Sequence, residues 1–384
     1  MRICLVYDCL FPHTVGGAER WYRGLAERLA EAGHEVTYLT LRQWEPGEDP
    51  GVPGVKVVVV GPRMALYDAP GHRRILPPLV FGAGVLWHLL RHGRRYDVLH
   101  TCSFPYFSLL AAAVVAPLRR FGIGVDWFEV WSRSYWREYL GRAGTLGWLV
   151  QRLCVRVPQR AFCFSRLYAQ RLRDEGLAGE LTMLAGAYEG SLEPAPVQPA
   201  EPFVVFAGRH IPEKRVPAIV PAIAALRSRL PELRALILGD GPEREEVRRQ
   251  VEAQGLQDVI DVPGFVATEA VEDALSRALC LLLPSRREGY GLVVVEAAAR
   301  GTPSVVVAGP DNAAVELIRE GENGFVAASD SPQDLATAIW AVHEAGPGLR
   351  QSTSDWFAAN AARVSIERSQ EIVLGVYARA SARP

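Results

Sequence analysis

Short runs of apolar, mostly β-branched residues alternate in the first half of the chain with longer segments that repeat apolar residues at helical spacing. The short runs predict strands, and the longer segments predict helices. The predicted strands are 2–8, 35–41, 55–61 and 96–102, and the predicted helices are 17–33 and about 78–93. Such alternation is typical of a parallel sheet with helices on both faces.

The alternation stops at a proline-rich segment and then starts again. Residues 188–202 contain four prolines and few apolar residues, which is the composition of a linker between domains. We therefore expect a first domain over 1–190, a linker over 191–202 and a second domain over 203–362.

After the linker the same pattern predicts a second set of elements. The predicted strands are 203–208, 234–241, 259–264, 280–285 and 303–309, and the predicted helices are about 216–229, 242–255, 268–278 and 291–300. A Gly-Pro-Gly sequence at 346–348 precedes a final helical segment at about 354–380. The predicted fold class is α/β, with two Rossmann-like, doubly wound parallel-sheet domains that face a central cleft.

Composition narrows the range of partners. The 384 residues, of which 49% are hydrophobic, are enough for two domains with their own cores. A net charge of -1 gives no general electrostatic reason to bind nucleic acid. The six cysteines lack the spacing of metal ligands, and most lie in apolar runs, as expected of a protein in a reducing cytoplasm.

Three further features concern membranes. The chain opens with a short apolar stretch followed by Asp8, which predicts a buried strand and not a secretory signal. The longest apolar stretch, 105–117, is shorter than the roughly 20 residues that a spanning helix needs. Segments 73–95 and 127–153 mix aromatic and apolar residues with arginine. They fit either core helices with solvated flanks or peripheral contact with the inner face of a membrane.

In open parallel sheets, ligands bind where strands end and helices begin, and three such loops carry candidate chemistry. In the first, Gly16 and Gly17 precede a helix predicted to start near Ala18. Adjacent glycines let a ligand approach the backbone, and a helix N-terminus suits a phosphate or sugar oxygen. A tight turn without function explains the glycines equally well. The GxGxxG spacing of dinucleotide-binding enzymes is absent.

The second loop follows a strand that ends at Gly208, and it carries Arg209 and Lys214. Arginine makes forked hydrogen bonds and lysine is a mobile point charge, so together they can neutralise a diphosphate. Of the 42 basic residues only Lys56 and Lys214 are lysine. Because the chain otherwise uses arginine, we expect Lys214 to be functional.

The third loop, in the sequence SRREGYGLVVVEAAARG, lies between two carboxylates, Glu288 and Glu296. Gly289, Tyr290 and Gly291 connect a strand to a helix, so their amides are expected at a helix N-terminus that can bind an anion. The apolar neighbours of Glu296 offer it no partner, and a buried unpaired carboxylate is costly. Ribose hydroxyls would be partners for Glu296, and sugar hydroxyls can bind Glu288 in the same way. The alternative is that Glu288 is a capping acid and Glu296 lies on the helix surface.

These motifs resemble glycosyltransferase family 4, the retaining, nucleotide-sugar-dependent enzymes of GT-B fold. EGYGLVVVE is similar to the family's E-x7-E signature, GRHIPEKR to its G-R-x-x-x-E-K-G element, and GDGPEREEV to its glycine-rich strand end. The match is nearly continuous over 203–340 and looser in the first half, through GGAER and YDVLH. The resemblance also implies that the last helix, about 363–384, crosses back onto the first domain.

The resemblance implies a role for each matching residue. Arg209 and Lys214 would neutralise the donor diphosphate. Glu296 would hold the ribose and Glu288 the hydroxyls of the donor sugar, so Glu288, Arg209 and Lys214 are the expected catalytic residues. Gly16 and Gly17 lie on a loop that would close over the donor. The other expected donor contacts are Gly208, Gly239, Val262, Phe265, Gly289, Tyr290, Gly291, Leu292 and Val293.

One position departs from the family pattern. Relatives commonly have a histidine near the donor sugar, in a WHEVW-like segment, whereas this chain has WFEVW with Phe128 at that position. Phenylalanine can neither hydrogen-bond the sugar nor move a proton. Aromatic faces stack well on sugar rings, but the same residues could simply pack or touch a membrane surface. Lone histidines at strand ends are more often structural. The candidates for acceptor or sugar contacts are His13, His100, Phe128, Glu129, Tyr135 and Trp136.

The expected activity needs neither a metal nor a cofactor. The chain has no DxD sequence to hold a divalent ion, so cations and backbone amides would stabilise the leaving diphosphate. We expect retaining transfer of a sugar from a UDP-sugar, or next a GDP-sugar, to a hydroxyl of a glycan, a lipid-linked glycan or a small natural product such as an aminoglycoside. The alternatives are a nucleotide-sugar epimerase of the same fold and a sugar-nucleotide-binding homologue without turnover.

Overall fold

The computed structural model describes residues 1–14, 16–45, 47–66 and 73–381. These residues form two compact units. The first unit comprises the described residues up to Ala187 together with those from Ile366 onward, and the second unit is Tyr188–Ser365.

A seven-stranded parallel sheet forms the centre of the first unit. Its strands are β1 (Arg2–Val6), β2 (Glu35–Leu41), β3 (Val55–Gly61), β4 (Val98–Cys102), β5 (Gly122–Trp127), β6 (Gln159–Cys163) and β7 (Gly179–Met183). Their order in the sheet is β3-β2-β1-β4-β5-β6-β7. Four successive residues of β1, Ile3 to Val6, are fully buried, because both faces of the sheet are covered. This explains the continuous apolar runs in the sequence.

Six helices connect these strands, and the last helix of the chain joins them. They are α1 (Gly17–Glu31), α2 (Leu76–His92), α3 (Tyr106–Arg119), α4 (Arg133–Leu140), α5 (Gly144–Val155), α6 (Arg166–Asp174) and the C-terminal helix Ile366–Ser381. Helix α2 begins two residues before the predicted start. Pro77 and Pro78 lie in its first turn, where a helix does not use the backbone N–H that proline lacks.

A buried hydrogen-bond network joins the C-terminal helix to the first sheet. Asp126 on β5 accepts hydrogen bonds from the indole N–H of Trp21, over 2.6 Å, and from Nε2 of His100, over 2.8 Å. Because a carboxylate only accepts, the proton of His100 is on Nε2, and Nδ1 accepts from the hydroxyl of Tyr377. All four side chains are buried, so polar contacts in the core position this helix.

The second unit is built on a six-stranded parallel sheet of order β10-β9-β8-β11-β13-β15. The strands of the unit are β8 (Glu201–Ala207), β9 (Arg234–Leu238), β10 (Ile260–Gly264), β11 (Ala278–Leu283), β12 (Arg287–Glu288), β13 (Ser304–Val307), β14 (Asp311–Asn312) and β15 (Gly324–Ala327). Its helices are α7 (Ile219–Leu226), α8 (Arg244–Ala253), α9 (Thr268–Arg277), α10 (Leu292–Ala298) and α11 (Pro332–Val364). The short strands β12 and β14 pair with each other outside the main sheet. Two doubly wound parallel-sheet units confirm the predicted α/β fold class.

The proline-rich segment 191–202 packs on the second unit. The amide of Ala195 donates to the carbonyl of Ala299 over 2.8 Å. A Cβ atom on Gly301 would lie 3.1 Å from the side chain of Val197. The segment therefore has specific contacts before it enters β8.

The Gly-Pro-Gly sequence separates two helices, as predicted, but the helix after it begins at Pro347 and not at about 354. Helix α11 is the range Pro332–Val364 with this break inside it. Gly346 has a φ of 63° and a ψ of -157°, which kinks the helix. Pro347 then lies in the first turn after the kink, where its missing N–H is not needed.

Among the described helices, none combines the length and the apolarity that crossing a bilayer requires.

Candidate functional site

The donor residues expected in the second unit lie at the carboxyl edge of its sheet, where β8, β9, β10 and β11 end. The loops after β8 and β9 approach each other closely there. A Cβ atom on Gly239 would lie 1.9 Å from the carbonyl oxygen of Gly208, and one on Gly241 would lie 2.5 Å from that of His210. The φ angles of Gly239 and Gly241 are 114° and 151°. Only glycine fits these two positions, so packing between the loops requires the glycine-rich strand end.

Lys214 and Glu288, 74 positions apart in the sequence, form an ion pair at this edge, in which Nζ donates to Oε1. The side chain of Lys214 is 19% exposed and that of Glu288 is 10% exposed. Removing either partner of so buried a pair leaves an uncompensated charge, which is costly. Two of the expected catalytic residues are therefore in direct contact, and each stabilises the charge of the other.

Further contacts join the two loops that carry this ion pair. The amide of Arg286 donates to the carbonyl of Glu213 over 2.9 Å. The guanidinium of Arg287 lies 3.6 Å from the carboxylate of Glu213. These contacts involve the neighbours of both Lys214 and Glu288 in the sequence. The positions of the two charged groups thus depend on the backbone as well as on their own side chains.

Asn312 is a structural residue of this site that the sequence analysis missed. Its buried side-chain amide donates to the carbonyls of Ser285, over 3.0 Å, and of Val307, over 2.9 Å. Its side-chain oxygen accepts from the amide of Ala314 over 3.0 Å. Asn312 thereby joins the loop after β11 to the end of β13. Asparagine after a strand is common in ordinary turns, so the sequence carries no signal for this role.

His210 lies on the same loop as Lys214 and is fully buried. Its ring contacts the ring of Phe206 edge-on, with 5.8 Å between centroids. Burial lowers the pKa of the His210 imidazole, so it is neutral at neutral pH and adds no positive charge. The positive charge that the loop offers to an anion comes from Arg209 and Lys214.

The remaining residues expected to contact the nucleotide differ in exposure. Arg209 is exposed and has no ion pair in the part of the chain that the structure describes. Phe265, after β10, is 78% exposed and presents a ring face. Val262 does not fit its expected role, because strand alternation buries its side chain. Its carbonyl accepts hydrogen bonds from Arg244 and Arg248, each over 3.3 Å.

The Gly-Tyr-Gly loop, residues 289–291, connects β12 to α10. Gly291 is the N-cap of α10, with a φ of 96° and a ψ of 49°. A Cβ atom at this position would lie 2.7 Å from Cβ of Ala314. Burial raises the pKa of Tyr290, whose side chain packs on the core. Backbone geometry and close packing therefore require glycine at position 291, whether or not its amide binds a ligand.

Glu296 is half-buried, and the expectation that it is buried without a partner is wrong. Helix α10 has one less buried side, where Glu296 lies with Leu292 and Val293. Its buried residues are Val294, Val295, Ala297 and Ala298. The pKa of Tyr188 is raised, chiefly by burial. The carboxylate of Glu296 is close enough to raise this pKa further. Sequence reasoning took an Ala- and Val-rich helix to be apolar on every side.

In the first unit, Gly16 and Gly17 lie where the chain from β1 enters α1. Gly16 has an extended backbone, with a φ of -178°. The atoms nearest to a Cβ atom on Gly16 would be those of the Glu19 carboxylate, with Oε2 at 2.4 Å. A Cβ atom on Gly17 would meet nothing within 4 Å. Packing among the described residues therefore does not require glycine at position 17, and there is open space beside its backbone.

Two aromatic acceptor candidates belong to the core of the first unit. Tyr135 and Trp136 are each 5% exposed, and the indole N–H of Trp136 donates to Gln151 over 3.2 Å. The expectation that they stack on an acceptor ring is therefore wrong, because their faces are used in packing. Phe128 is half-buried and stacks on Phe164, with 5.3 Å between ring centroids.

The polar candidates of the first unit also differ. His13 is exposed, and its ring centroid lies 5.2 Å from that of Trp44. Glu129 is half-buried and accepts a hydrogen bond from the indole N–H of Trp131 over 2.8 Å. His100 is fully buried, and both of its ring nitrogens are used in the core network. The expectation that His100 contacts a ligand is wrong, because its hydrogen bonds are satisfied inside the fold.

Family models match both units. The model for glycosyl transferases group 1 matches residues 192–355, and the model for the glycosyl transferase 4-like domain matches residues 16–185. The chain is also similar to the α-D-kanosaminyltransferase of Streptomyces kanamyceticus, with 30% identity over 177 residues, which is 46% of this chain and 45% of that protein. In this match the chain spans less than half of the relative's length.

Two solved structures have a similar fold. Sucrose-phosphate synthase from Thermosynechococcus elongatus has a TM-score of 0.77 at 19% identity, over 100% of both chains. Anabaena HepE in complex with UDP-glucose has a TM-score of 0.72 at 18% identity, over 98% of this chain and 100% of that chain. Both likenesses extend over two parallel-sheet α/β domains, which is the GT-B fold. From the two matched domain models and this fold, the chain belongs to the GT-B glycosyltransferases of the family 4 type.

Proposed function

We propose that the protein is a retaining glycosyltransferase that moves a sugar from a nucleotide-diphosphate donor to a hydroxyl group without a metal ion. UDP is the preferred nucleotide and GDP the next. The observation that carries this proposal is the largely buried ion pair of Lys214 and Glu288 at a sheet's carboxyl edge, in which Lys214 lies on the same loop as the exposed Arg209. Family membership supports transfer of a glycosyl group.

The ion pair suits a ligand that carries phosphate and hydroxyl groups together. Arg209 offers an unpaired guanidinium among the described residues, and Lys214 can exchange Glu288 for a phosphate oxygen. Glu288 then needs new hydrogen-bond donors, because its carboxylate is nearly buried. The hydroxyls of a sugar attached to the same diphosphate would be those donors. A nucleotide sugar carries both groups in one molecule.

In the proposed reaction, the acceptor oxygen forms a bond to the anomeric carbon as the bond from that carbon to the diphosphate oxygen breaks. Attack occurs on the face that the diphosphate leaves, so the anomeric configuration is retained. Arg209 and Lys214 stabilise the negative charge that develops on the diphosphate. The acceptor proton passes to a phosphate oxygen, so this step uses no protein base. That agrees with Phe128, a side chain that cannot accept a proton.

Two observations support the choice of ligands. HepE, which has a similar fold, was solved with UDP-glucose, and the exposed ring of Phe265 can stack on a nucleobase. We propose that the first unit binds the acceptor, a glycan, a lipid-linked glycan or a small natural product. Its Gly17 backbone has room for a ligand.

Isothermal titration calorimetry with UDP, GDP and dTDP, with and without EDTA, tests this function. We expect one nucleotide to bind with an affinity that EDTA does not change. The matching nucleotide sugar should then release its nucleotide only when an acceptor is present. If none of the three binds at millimolar concentration, the proposal fails. Isomerised donor without acceptor would indicate an epimerase, and binding without any release would indicate a binding protein.

The proposed ribose contact predicts that Glu296→Ala weakens nucleotide binding about tenfold or more. A hydrogen bond to a charged group contributes about 1.5–3 kcal/mol, and 1.4 kcal/mol corresponds to about a factor of ten in affinity. Comparing UDP with 2′-deoxy-UDP makes the test specific. Wild type should prefer UDP, and the variant should bind the two nucleotides almost equally.

Glu272→Ala is the matched control for Glu296→Ala. Glu272 pairs with Arg300 over 2.6 Å, and its side chain is 52% exposed, so its loss should leave the affinity for UDP unchanged. If the Glu296 variant still prefers UDP over 2′-deoxy-UDP as strongly as wild type does, then Glu296 does not hold the ribose.

We further propose that α2 and α3 form a face that contacts an anionic membrane. Helix α2 packs on α3, and large apolar side chains are exposed on both. They are Leu76 (61%), Leu79 (43%) and Trp87 (58%) on α2, and Val114 (66%) and Leu118 (65%) on α3. Segments 73–95 and 105–121 contain no acidic residue. The guanidinium of Arg91 lies 4.0 Å from the ring centroid of Trp87. Exposed apolar groups flanked by arginine suit the head-group region of anionic lipids.

Co-sedimentation with phosphatidylglycerol vesicles tests this face. The double variant Leu79→Ser/Trp87→Ser should bind at least about tenfold more weakly, because burying each large apolar side chain contributes about 1.5–3 kcal/mol. Leu192→Ser, which removes an apolar side chain that is 43% exposed in the second unit, is the control and should bind as wild type does. Equal binding of wild type to phosphatidylglycerol and phosphatidylcholine would contradict a face selective for anionic lipid.

A further inference from the structure

Lys56 is the other lysine of the chain, and the proposed donor site does not use it. It lies at the start of β3 and lines a cavity of about 290 Å³ in the first unit. Arg2 and Glu35 line the cavity from the starts of β1 and β2, and Arg95 lines it from beyond the end of α2. Because these strands are parallel, the cavity is at the amino edge of the sheet. The Gly16–Gly17 loop is at the opposite edge.

The lining of this cavity carries an excess of positive charge. Lys56 and Arg95 are exposed, and neither has an ion pair with any residue that the structure describes. Arg2 is paired with Asp97 at 2.6 Å. Among the described lining residues, Glu35 is the carboxylate that faces these cations. The cavity therefore favours an anion.

The end of a helix explains part of this charge but not Lys56. Cations near the C-terminus of a helix offset the partial negative charge there. Arg95 has this position relative to α2. Lys56 lies on a strand, which has no comparable charge to offset. In a chain that otherwise uses arginine, a lysine here provides a compact and mobile point charge.

The pKa of His88 reflects the basic side chains that line the cavity. Its Nε2 is hydrogen-bonded to the hydroxyl of Tyr96 over 2.7 Å. Burial first, and then the charges of His92, Lys56 and Arg95, lower the pKa of His88 to about 4. The three basic side chains thus all affect a group in the same cavity. At neutral pH His88 and Tyr96 form a neutral hydrogen-bonded pair beside the cations.

We propose that this cavity is a binding site for a phosphate group, separate from the donor site. Lys56 and Arg95 would contact the phosphate oxygens. The cavity, about 290 Å³, is at the lower end of the range of about 300–1,000 Å³ for small-molecule pockets, so the group attached to the phosphate is small. The ligand is either a free phosphate monoester or a phospholipid head group. A phospholipid head group is one of the two because apolar side chains are exposed on α2 near the lining residues His88 and His92. Trp87 is 58% exposed and Leu90 is 37% exposed.

Titrations of inorganic phosphate and of glycerol 3-phosphate, followed by phosphorus-31 NMR, test the site. The double variant Lys56→Gln/Arg95→Gln should bind at least about tenfold more weakly than wild type, because charge-assisted hydrogen bonds to phosphate are removed. Phosphate bound at Arg209 and Lys214 contributes equally in both proteins. Arg142→Gln is the matched control. Arg142 is exposed in the first unit and makes no ion pair within the described residues, so its loss should change nothing.

Phosphatidylglycerol vesicles distinguish the two sources. If the ligand is a lipid head group, vesicle binding will require Lys56 and Arg95, and it will survive in Arg142→Gln. If the ligand is a free ester, binding of glycerol 3-phosphate will require the two residues and vesicle binding will not. Identical binding of phosphate, ester and vesicles by wild type and the double variant would overturn the proposal. The affinity for UDP, measured on the same samples, separates this outcome from failure of the donor site.

Discussion

Replacing Lys214 with alanine is expected to weaken binding of the donor nucleotide by about 10- to 100-fold. Hydrogen bonds to charged groups contribute about 1.5–3 kcal/mol, and 1.4 kcal/mol corresponds to about a factor of ten in affinity. The substitution also leaves Glu288, whose side chain is 10% exposed, with an uncompensated charge that repels a diphosphate. Calorimetric titration with the nucleotide that wild type prefers measures the effect.

Two further variants show whether this loss is specific. Arg215→Ala is the matched control, because Arg215 is adjacent in sequence but pairs with Asp330, and its side chain is 33% exposed. Loss of an exposed pair should change the affinity by no more than about fivefold. Lys214→Ala/Glu288→Gln removes the repelling charge, so it should bind the nucleotide more tightly than Lys214→Ala does. Equal losses in the Lys214 and Arg215 variants would exclude a specific contact between Lys214 and the diphosphate.

Asp126→Ala is expected to destabilise the first unit by about 3–5 kcal/mol, because two buried hydrogen-bond donors lose their shared acceptor. The indole N–H of Trp21 and Nε2 of His100 both donate to this carboxylate. Each would be left buried without an acceptor, at a cost of about 1–3 kcal/mol. For a unit of this size the midpoint of thermal unfolding should fall by roughly 6–20 °C. Scanning calorimetry of the full chain measures this shift.

Two further variants and hydrogen exchange of individual segments show whether the hydrogen-bond network accounts for the loss of stability. Asp126→Asn keeps an acceptor oxygen for both donors, so it should cost much less than Asp126→Ala. Asp97→Ala, which removes a surface pair whose side chains are 48% and 38% exposed, should cost no more than about 1 kcal/mol. Hydrogen exchange should increase in β4, β5 and the C-terminal helix, and not in the second unit. A thermal shift as small as that of Asp97→Ala would mean that the network contributes little to stability.

Sequence periodicity was sufficient to locate most elements of both sheets. Observed β2 and β3, Glu35–Leu41 and Val55–Gly61, coincide with the predicted ranges 35–41 and 55–61. Strand β2 is buried from Val36 to Leu41, and β3, at the edge of the sheet, is half-buried over most of its length. Both appear in the sequence as short runs rich in β-branched residues and bounded by turn residues. Arg209 and Lys214 were found in the same way, because a loop after a predicted strand and a rare lysine are both visible in one local stretch.

Local sequence patterns did not predict the environments of individual side chains. Glu296 was expected to be buried and is half-buried, because the composition of α10 does not reveal which side packs on the core. His100, Tyr135 and Trp136 resemble ligand contacts in the sequence. Their exposure depends on neighbours such as Tyr377 and Gln151, which are distant in sequence or on another helix.

By itself, then, the sequence determined the α/β class, the order of the elements and the basic residues of the loop after β8. These properties follow from hydrophobic periodicity and residue chemistry over short stretches of chain. Only the tertiary structure decided that Lys214 and Glu288 share one ion pair and that Asn312 holds the loop beside them. It also brought Lys56 and Arg95 to one cavity. Each of these contacts joins residues that are separated by tens of positions in the sequence. Packing of the sheets and helices between them sets the distance between these residues in the folded chain.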